Sequence, residues 1–288
     1  MSRCWLLAVA VCSLALTAPA QTPIDETFDR LYNFDFQGAH KILDSYIAAH
    51  PEEPLPYSVR AAADLFYELD RLGILESEFL ADDNRIIDKR KLRPDPTVRE
   101  NFLTALHDAK TRADRVLASN PDDRDALFAM CISQGVATDY MALVEKRQMN
   151  SLSSAKRSNS YAQRLLKVDP KFYDAYLTAG FSEYLLGSLP FFVRWFVHFD
   201  NVDGSKQRGK DNLMLVAEQG HYLKAFAKIL LSIIYLREKN PQESRRLLAE
   251  LARDYPANPL IHNEMAKLDV MLGAGPGCCG EPRGQSAP

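Results

Sequence analysis

Cysteine is scarce in this chain, and its placement does not suit disulfide bonds. Five cysteines occur, and two of them, Cys4 and Cys12, lie in an apolar N-terminal segment. The remaining three are Cys131, Cys278 and Cys279. Three cysteines cannot form a disulfide framework. Cys131 lies within an apolar helical pattern, which favours a buried thiol, while the sequence leaves the role of the adjacent pair open.

An excess of charge of one sign is also missing. The chain has 35 Lys and Arg against 38 Asp and Glu, mixed along its length, which gives a formal net charge of -3. A nucleic-acid partner would favour a basic stripe or patch, and none is present. With 47% hydrophobic residues, the chain has enough apolar side chains to bury a large core. The composition therefore predicts a folded protein that does not bind nucleic acid.

Recognisable catalytic and cofactor motifs are absent. The six histidines form no HExxH or other close ligand pair, and Ser182 lacks the second glycine of a nucleophile elbow. Residues 204–211, GSKQRGKD, have the spacing of a phosphate-binding loop, but Asp211 stands where a Ser or Thr would bind magnesium. We interpret this segment as a Gly-rich approach to a helix that begins near Gly209. The sequence predicts no catalytic, cofactor-binding or metal-binding residues, and a protein that is not an enzyme.

The only long hydrophobic run is at the N-terminus. Arg3 precedes apolar residues 4–16, and Ala18, Pro19 and Ala20 precede Gln21. A positive charge, a short apolar run and a small-x-small site are typical of a cleavable signal peptide. We therefore predict a signal peptide at residues 1–20 and export to the periplasm or the extracellular space. The alternative, an uncleaved membrane anchor, is disfavoured by the short run and by Pro19.

What the chain does contain is a succession of amphipathic helices, seen best at residues 225–258. A first helix has apolar residues at helical spacing, and Asn240 followed by Pro241 predicts the start of a second. A similar signal, Thr97 with Glu100 three residues later, predicts that a helix begins at Thr97. Two short helices cannot bury both of their apolar faces alone, so more pairs of the same kind are expected.

A regular spacing before the prolines connects these helices. Twelve and eight residues before four of the prolines stand small or apolar residues: Ala39 and Leu43 before Pro51, Ala109 and Ala113 before Pro121, Ser158 and Ala162 before Pro170, and Ser244 and Leu248 before Pro256. Tyr176 and Gly180 then follow Pro170 at further positions of the same pattern. This spacing resembles the tetratricopeptide repeat (TPR), a 34-residue helix-turn-helix unit.

The resemblance implies an all-α fold, a TPR-like α-solenoid of antiparallel helix pairs. It covers most of residues 21–272, with irregular insertions near 73–96 and 190–206. One more helix, after residue 257, is expected to act as the C-terminal cap. Residues 273–288 are rich in Gly and Pro and are predicted to be a disordered tail.

The TPR register also implies which residues face a concave, partner-binding groove: Phe128, Ile132, Leu177, Phe181, Tyr184, Ile229, Ile233 and Leu236. This groove is mainly apolar and lacks the lysines and arginines with which some TPR proteins hold a peptide carboxylate. So much contiguous exposed apolar surface is unusual, which suggests that something covers it.

The second insertion carries a cluster of aromatic residues: Phe191, Phe192, Trp195, Phe196 and Phe199. Three interpretations remain open. These rings could fold back over the groove as core or as a displaceable lid, form a hot spot for a partner, or lie at a membrane interface.

The leading functional interpretation is an exported scaffold that binds another protein, of unknown identity, through the apolar groove. An alternative is a carrier that encloses an apolar small molecule between the groove and the aromatic insertion. A third is a helical protein associated with a membrane interface through that insertion.

Overall fold

The computed structural model describes residues 21–76, 92–188 and 203–273, and these residues are mostly helical. No strand occurs in these three ranges, so the expected all-α fold is confirmed. The eleven α-helices of the described residues are α1 Pro23–Tyr32, α2 Phe36–Ala49, α3 Leu55–Arg71, α4 Pro96–Ser119, α5 Arg124–Asp139, α6 Gln148–Val168, α7 Tyr176–Ser188, α8 Lys206–Gln219, α9 Lys224–Arg237, α10 Pro241–Asp254 and α11 Pro259–Met271.

Short polar side chains and prolines explain where many of these helices begin. Asn240 caps α10 by accepting a hydrogen bond from the Glu243 N–H, as the sequence predicts. α4 begins at Pro96, because Asp95 accepts hydrogen bonds from the N–H groups of Thr97 and Val98. The predicted cap at Thr97 was therefore wrong by two residues. The Asp–Pro pair supplies both the acceptor and the preset backbone angle of a first helical turn.

The residues just before α8 are held by hydrogen bonds within the fold. Ser205 caps this helix, which begins at Lys206, earlier than the predicted start near Gly209. The Glu183 carboxylate accepts hydrogen bonds from the N–H groups of Gly204 and Ser205 at 2.9 and 2.8 Å. A buried carboxylate thus already uses N–H groups that a phosphate-binding loop would offer to its ligand.

Consecutive helices pack against one another as hairpins. The pairs are α1 with α2, α3 with α4, α5 with α6, α7 with α8, and α9 with α10, and α11 packs on α10. Each hairpin also contacts the next, for example through α3 and α5 or through α8 and α9. A π-helical turn, Tyr140–Val144, extends α5 before the chain reverses into α6.

The residues that carry the proline spacing are all buried. Ala39, Ala109, Ala113, Ala162 and Ser244 have no exposed surface, and the other three, Leu43, Ser158 and Leu248, are at most 6% exposed. Small side chains at these sites let the paired helices approach closely. The expected buried thiol is also present, since Cys131 is 3% exposed and lies 3.2 Å from the Thr178 hydroxyl.

α7 and α8 cross at their glycines. A Cβ atom on Gly209 would lie 2.6 Å from the Tyr184 nitrogen, and one on Gly180 would lie 2.9 Å from the Gly209 oxygen. Real Cβ atoms do not approach backbone this closely. Gly180 and Gly209 therefore permit a helix crossing that alanine at either site would obstruct.

The two ends of the described chain meet. Tyr32, at the end of α1, donates a hydrogen bond from its hydroxyl to the Tyr222 carbonyl at 2.9 Å. Asn258, which caps α11, donates a hydrogen bond to the Tyr32 carbonyl at 2.7 Å. We refer to these contacts between α1 and the C-terminal helices as the seam. The row of hairpins thus curves far enough for its last members to touch the first.

One continuous helical run, residues 124–144, is long and apolar enough to cross a membrane by length and composition alone. It consists of α5 and the π-helical turn. Half of its most apolar window is buried inside the fold, where α5 packs on α3, α4 and α6. This run is the central helix of the core, and its apolar residues have packing partners within the chain.

Candidate binding surface

Tyr222 lies where three hairpins converge. It belongs to the turn between α8 and α9, and its ring centroid is 5.2 Å from that of Phe28 in α1. On its other side, Tyr222 stacks with Phe128 of α5 at 5.9 Å, and Phe128 contacts Phe172 at 4.8 Å. Leu223 packs beside Tyr222 against the same helices. We refer to the side of the molecule where α1, α3, α5, α7 and α9 surround this turn as the inner surface.

A buried carboxylate fixes the turn that carries Tyr222. The oxygens of Asp174 accept hydrogen bonds from the backbone N–H groups of His221, Tyr222 and Leu223, the shortest at 2.8 Å. Burial raises the pKa of Asp174, and these three hydrogen bonds oppose the rise. α9 has no side-chain cap of its own, and Asp174 instead fixes the three residues that precede its first turn.

The eight predicted groove residues divide by exposure. Three are core side chains: Phe128 is 1% exposed, Leu177 is 9% exposed and Tyr184 is 3% exposed. The other five are half-buried: Ile132, Phe181, Ile229, Ile233 and Leu236. The inner surface is therefore partly filled by its own helices.

The structure places seven of these residues in three separate clusters, and Ile233 belongs to none of the three. Leu177, Phe181 and Tyr184 pack together with α8 and α9. Phe128 and Ile132 pack with Tyr222 and Leu223. Ile229 and Leu236 lie in a third cluster, with Tyr32, Tyr255 and the buried residues of α10 and α11.

Sequence reasoning missed the residues that fill the inner surface. Phe66 of α3 meets Phe226 of α9 edge to face at 5.6 Å, and Tyr222 joins α1 to α5. Phe226 was part of the predicted apolar face of its helix but was not assigned to the groove. Tyr222 lies in a turn two residues after Gly220 and belongs to no periodic pattern, so only its aromatic character marked it. Leu185, one helical turn beyond Phe181, is 44% exposed and was also missed.

The aromatic insertion lies outside the described residues. The rings of Phe191, Phe192, Trp195, Phe196 and Phe199 fall within residues 189–202, as do most of the residues of the second predicted insertion. The predicted signal peptide, residues 77–91 of the first insertion, and tail residues 274–288 are outside them as well.

Titratable groups of the described residues are mostly committed to structural contacts. His40 of α2 pairs with the buried Asp64 of α3 at 3.3 Å, and His221 pairs with Asp25 of α1 at 2.7 Å. Within the three described ranges, no group of three or more His, Cys, Asp or Glu side chains is arranged to hold a metal ion. Asp139, at the end of α5, differs from these groups, because no hydrogen bond or ion pair from the described residues lowers its pKa. Desolvation alone raises the pKa of Asp139 to about 7.

Two shallow depressions occur away from the inner surface. The larger, about 470 Å³, runs along α4 and is lined by Pro96, Arg99, Glu100, Leu103, Thr104 and His107. The smaller, about 310 Å³, lies between Glu76 and α11. Both are open and mixed in polarity, and neither gathers the convergent polar groups of a small-molecule site.

Comparisons with known proteins do not assign this chain to a family. No protein-family model matches the chain, and a comparison with curated proteins found no match.

Proposed function

We propose that this chain is an exported, TPR-like α-solenoid that acts as a scaffold by binding another protein through its inner surface. Successive hairpins whose register positions are buried support the solenoid. The N-terminal signal-peptide pattern supports export. No catalytic step is part of the proposal.

The observation that carries the proposal is a set of apolar side chains that the fold leaves half-buried on neighbouring helices. Phe181 on α7 and Ile233 on α9 each keep part of their surface in contact with solvent, and Leu185 is 44% exposed beside Phe181. α7 and α9 both pack on α8, and Phe181 belongs to the apolar cluster to which all three helices contribute. An aromatic ring flanked by aliphatic residues on rigid helices is typical of an anchor site for a partner.

The proposal predicts that Phe181→Ala and Ile233→Ala weaken partner capture. The mature chain would be immobilised and incubated with an extract of its native host, and captured proteins would be identified and quantified by mass spectrometry. Loss of one anchor should reduce the apparent affinity for a specific partner about tenfold or more, because interface anchors contribute about 1.4 kcal/mol or more each. Circular dichroism should show unchanged helicity.

Leu103→Ala is the matched control, since Leu103 is 41% exposed on α4, away from the inner surface. It should leave capture unchanged. Equal capture by wild type, Phe181→Ala and Ile233→Ala would contradict the proposal. So would a copurifying apolar small molecule that is lost on substitution of Phe181, because that result identifies a carrier.

A further inference from the structure

The seam is built from side chains that reach across from opposite ends of the chain. Besides the two hydrogen bonds of Tyr32, the Ala257 N–H donates a hydrogen bond to the Asn33 side-chain oxygen at 3.2 Å. The Tyr32 ring lies 5.2 Å from the Tyr255 ring. A single turn of chain, at the end of α1, therefore makes much of the contact with the C-terminal helices.

A histidine–carboxylate contact and an ion pair flank the seam, and each has at least one exposed side chain. His221 contacts Asp25 at one end of α1, and these side chains are 64% and 17% exposed. Lys267 pairs with Glu76, and these side chains are 38% and 52% exposed. Ion pairs that are this exposed contribute little to stability. Water can replace these two contacts at a small cost in free energy when α1 separates from the C-terminal helices.

The helix hairpins are held together far more extensively than the seam. The hairpins and their neighbours bury small and aliphatic side chains against one another, for example Ala113 of α4 against Ala126 and Met130 of α5. The seam combines ring contacts with hydrogen bonds, and α1 makes no extensive helix–helix contact with α9, α10 or α11. Elements with few buried apolar contacts open first in native proteins. The seam therefore has the character of a contact that opens while the hairpins stay folded.

The seam covers part of the inner surface. Ile229 and Leu236 belong to the cluster that Tyr32 and Tyr255 complete. On the other side, Phe28 of α1 covers the Tyr222 ring, which in turn covers Phe128. Parting α1 from the C-terminal helices would uncover apolar side chains at both places.

We propose that the seam is a latch: α1 holds the inner surface closed, and a partner gains full access to it only after α1 separates from the C-terminal helices. This inference rests on the proposed function for the existence of a partner, whereas the opening itself can be tested without one. The partner is then a protein segment with aromatic or aliphatic side chains, since it must replace the contacts of Tyr32 and Phe28.

The first test uses an apolar fluorescent dye, bis-ANS, as the only probe. The protein is the mature chain with Cys278→Ser and Cys279→Ser, so that the tail thiols do not react. Tyr32→Ala should raise dye fluorescence severalfold with helicity unchanged. Adding Asn33→Cys and Ala257→Cys and joining the two thiols with a short bifunctional reagent should return the fluorescence to the wild-type level.

Tyr67→Ala is the control for loss of a tyrosine, because Tyr67 is 42% exposed and lies on α3 outside the seam. It should not raise the fluorescence. The latch is overturned if Tyr32→Ala fails to raise dye binding, or if cross-linking leaves the increase in place, since the increase would then reflect general loosening.

The second test measures partner capture. The cross-linked protein should capture at least tenfold less of the partner than the same protein before cross-linking. Equal capture by both forms would overturn the latch. Suppose that dye binding rises in Tyr32→Ala and returns to the wild-type level on cross-linking, while Phe181→Ala captures the same proteins as wild type. In that case the proposed function fails, but the opening of the seam is supported.

Discussion

At the scale of single residues, the most unusual group is the carboxyl of Asp139. It ends α5, it accepts no hydrogen bond from the described residues, and burial raises its pKa to about 7. The unfolded chain loses this proton near pH 4. Between about pH 4 and pH 7 the folded protein binds more protons than the unfolded chain, so Asp139 lowers the free energy of unfolding as pH rises through this window.

Asp139→Asn should therefore stabilise the protein above pH 7 and change little near pH 4. The amide carries no charge to desolvate, and the expected gain at pH 8 is on the order of 2 kcal/mol. Urea denaturation at pH 4.5 and pH 8 measures the difference. Asp122→Asn, in the exposed turn before α5, is the control and should stay within about 0.5 kcal/mol of wild type at both pH values. A gain of the same size at both pH values would contradict the assignment.

Residue-level burial was largely predictable, while residue-level function was not. Alanines and serines at fixed distances before prolines identified core positions, because helix packing constrains side-chain size locally. Asp139 gave no such signal. It stands within an apolar stretch, and its desolvation depends on which neighbouring helices surround it, which the local sequence does not specify.

At the scale of elements, the crossing of α7 and α8 depends on glycine. Gly209→Ala should destabilise the protein by about 1–3 kcal/mol, because the added methyl group meets backbone atoms that cannot move independently. Thermal or urea denaturation gives the change. Equal stability of this variant and wild type would show that the two helices can move apart freely.

Gly135→Ala provides the matched control within another helix. A Cβ atom at Gly135 would lie 3.6 Å from the Ser158 hydroxyl, an ordinary contact. Since glycine in a helix interior is destabilising, this substitution should be neutral or stabilise by about 0.5–1 kcal/mol. Both substitutions add the same methyl group to a glycine within a helix. The expected changes in stability differ only because Gly209 packs against backbone and Gly135 does not.

Helix boundaries show what local sequence can and cannot specify. Asn240 and Pro241 predicted the start of α10 correctly, since a cap and a first-turn proline act within four residues. The start of α4 was predicted at Thr97 because Glu100 follows it by three residues, although Asp95 and Thr97 can both cap a helix. Pro96 decides between them, as its fixed backbone angle suits the first turn and leaves Asp95 as the cap.

At the scale of the whole molecule, closure of the hairpin row was not predictable from the sequence. The curvature of such a row is the sum of small rotations between successive hairpins, and each rotation depends on detailed packing. The TPR register predicted groove positions such as Phe128 and Ile132, but it gave no sign that Tyr222 would stack on Phe128. The contacts of Tyr32 with Tyr222 and Asn258 have no local signal in sequence.

Because the two ends of the row are in contact, a substitution near the end of α10 should change the local stability of α1. Tyr255→Ala removes the ring that packs on Tyr32, so the amides of α1 should exchange with solvent about tenfold faster or more. Hydrogen exchange followed by mass spectrometry would locate the effect. Val270→Ala, at a position 70% exposed on α11, should leave α1 unchanged. Faster exchange confined to α10 and α11 would contradict coupling through the seam.

The seam also sets an order of events during folding. Its hydrogen bonds join residues separated by 190 to 226 positions, whereas each hairpin forms between neighbours in the chain. Loop-closure entropy delays contacts of such long range, so the ends join after the hairpins have formed. α1 is synthesised first and finds its final neighbours last. Throughout that interval Phe28 and Tyr32 lack their C-terminal partners, so α1 exposes aromatic side chains that the folded protein covers.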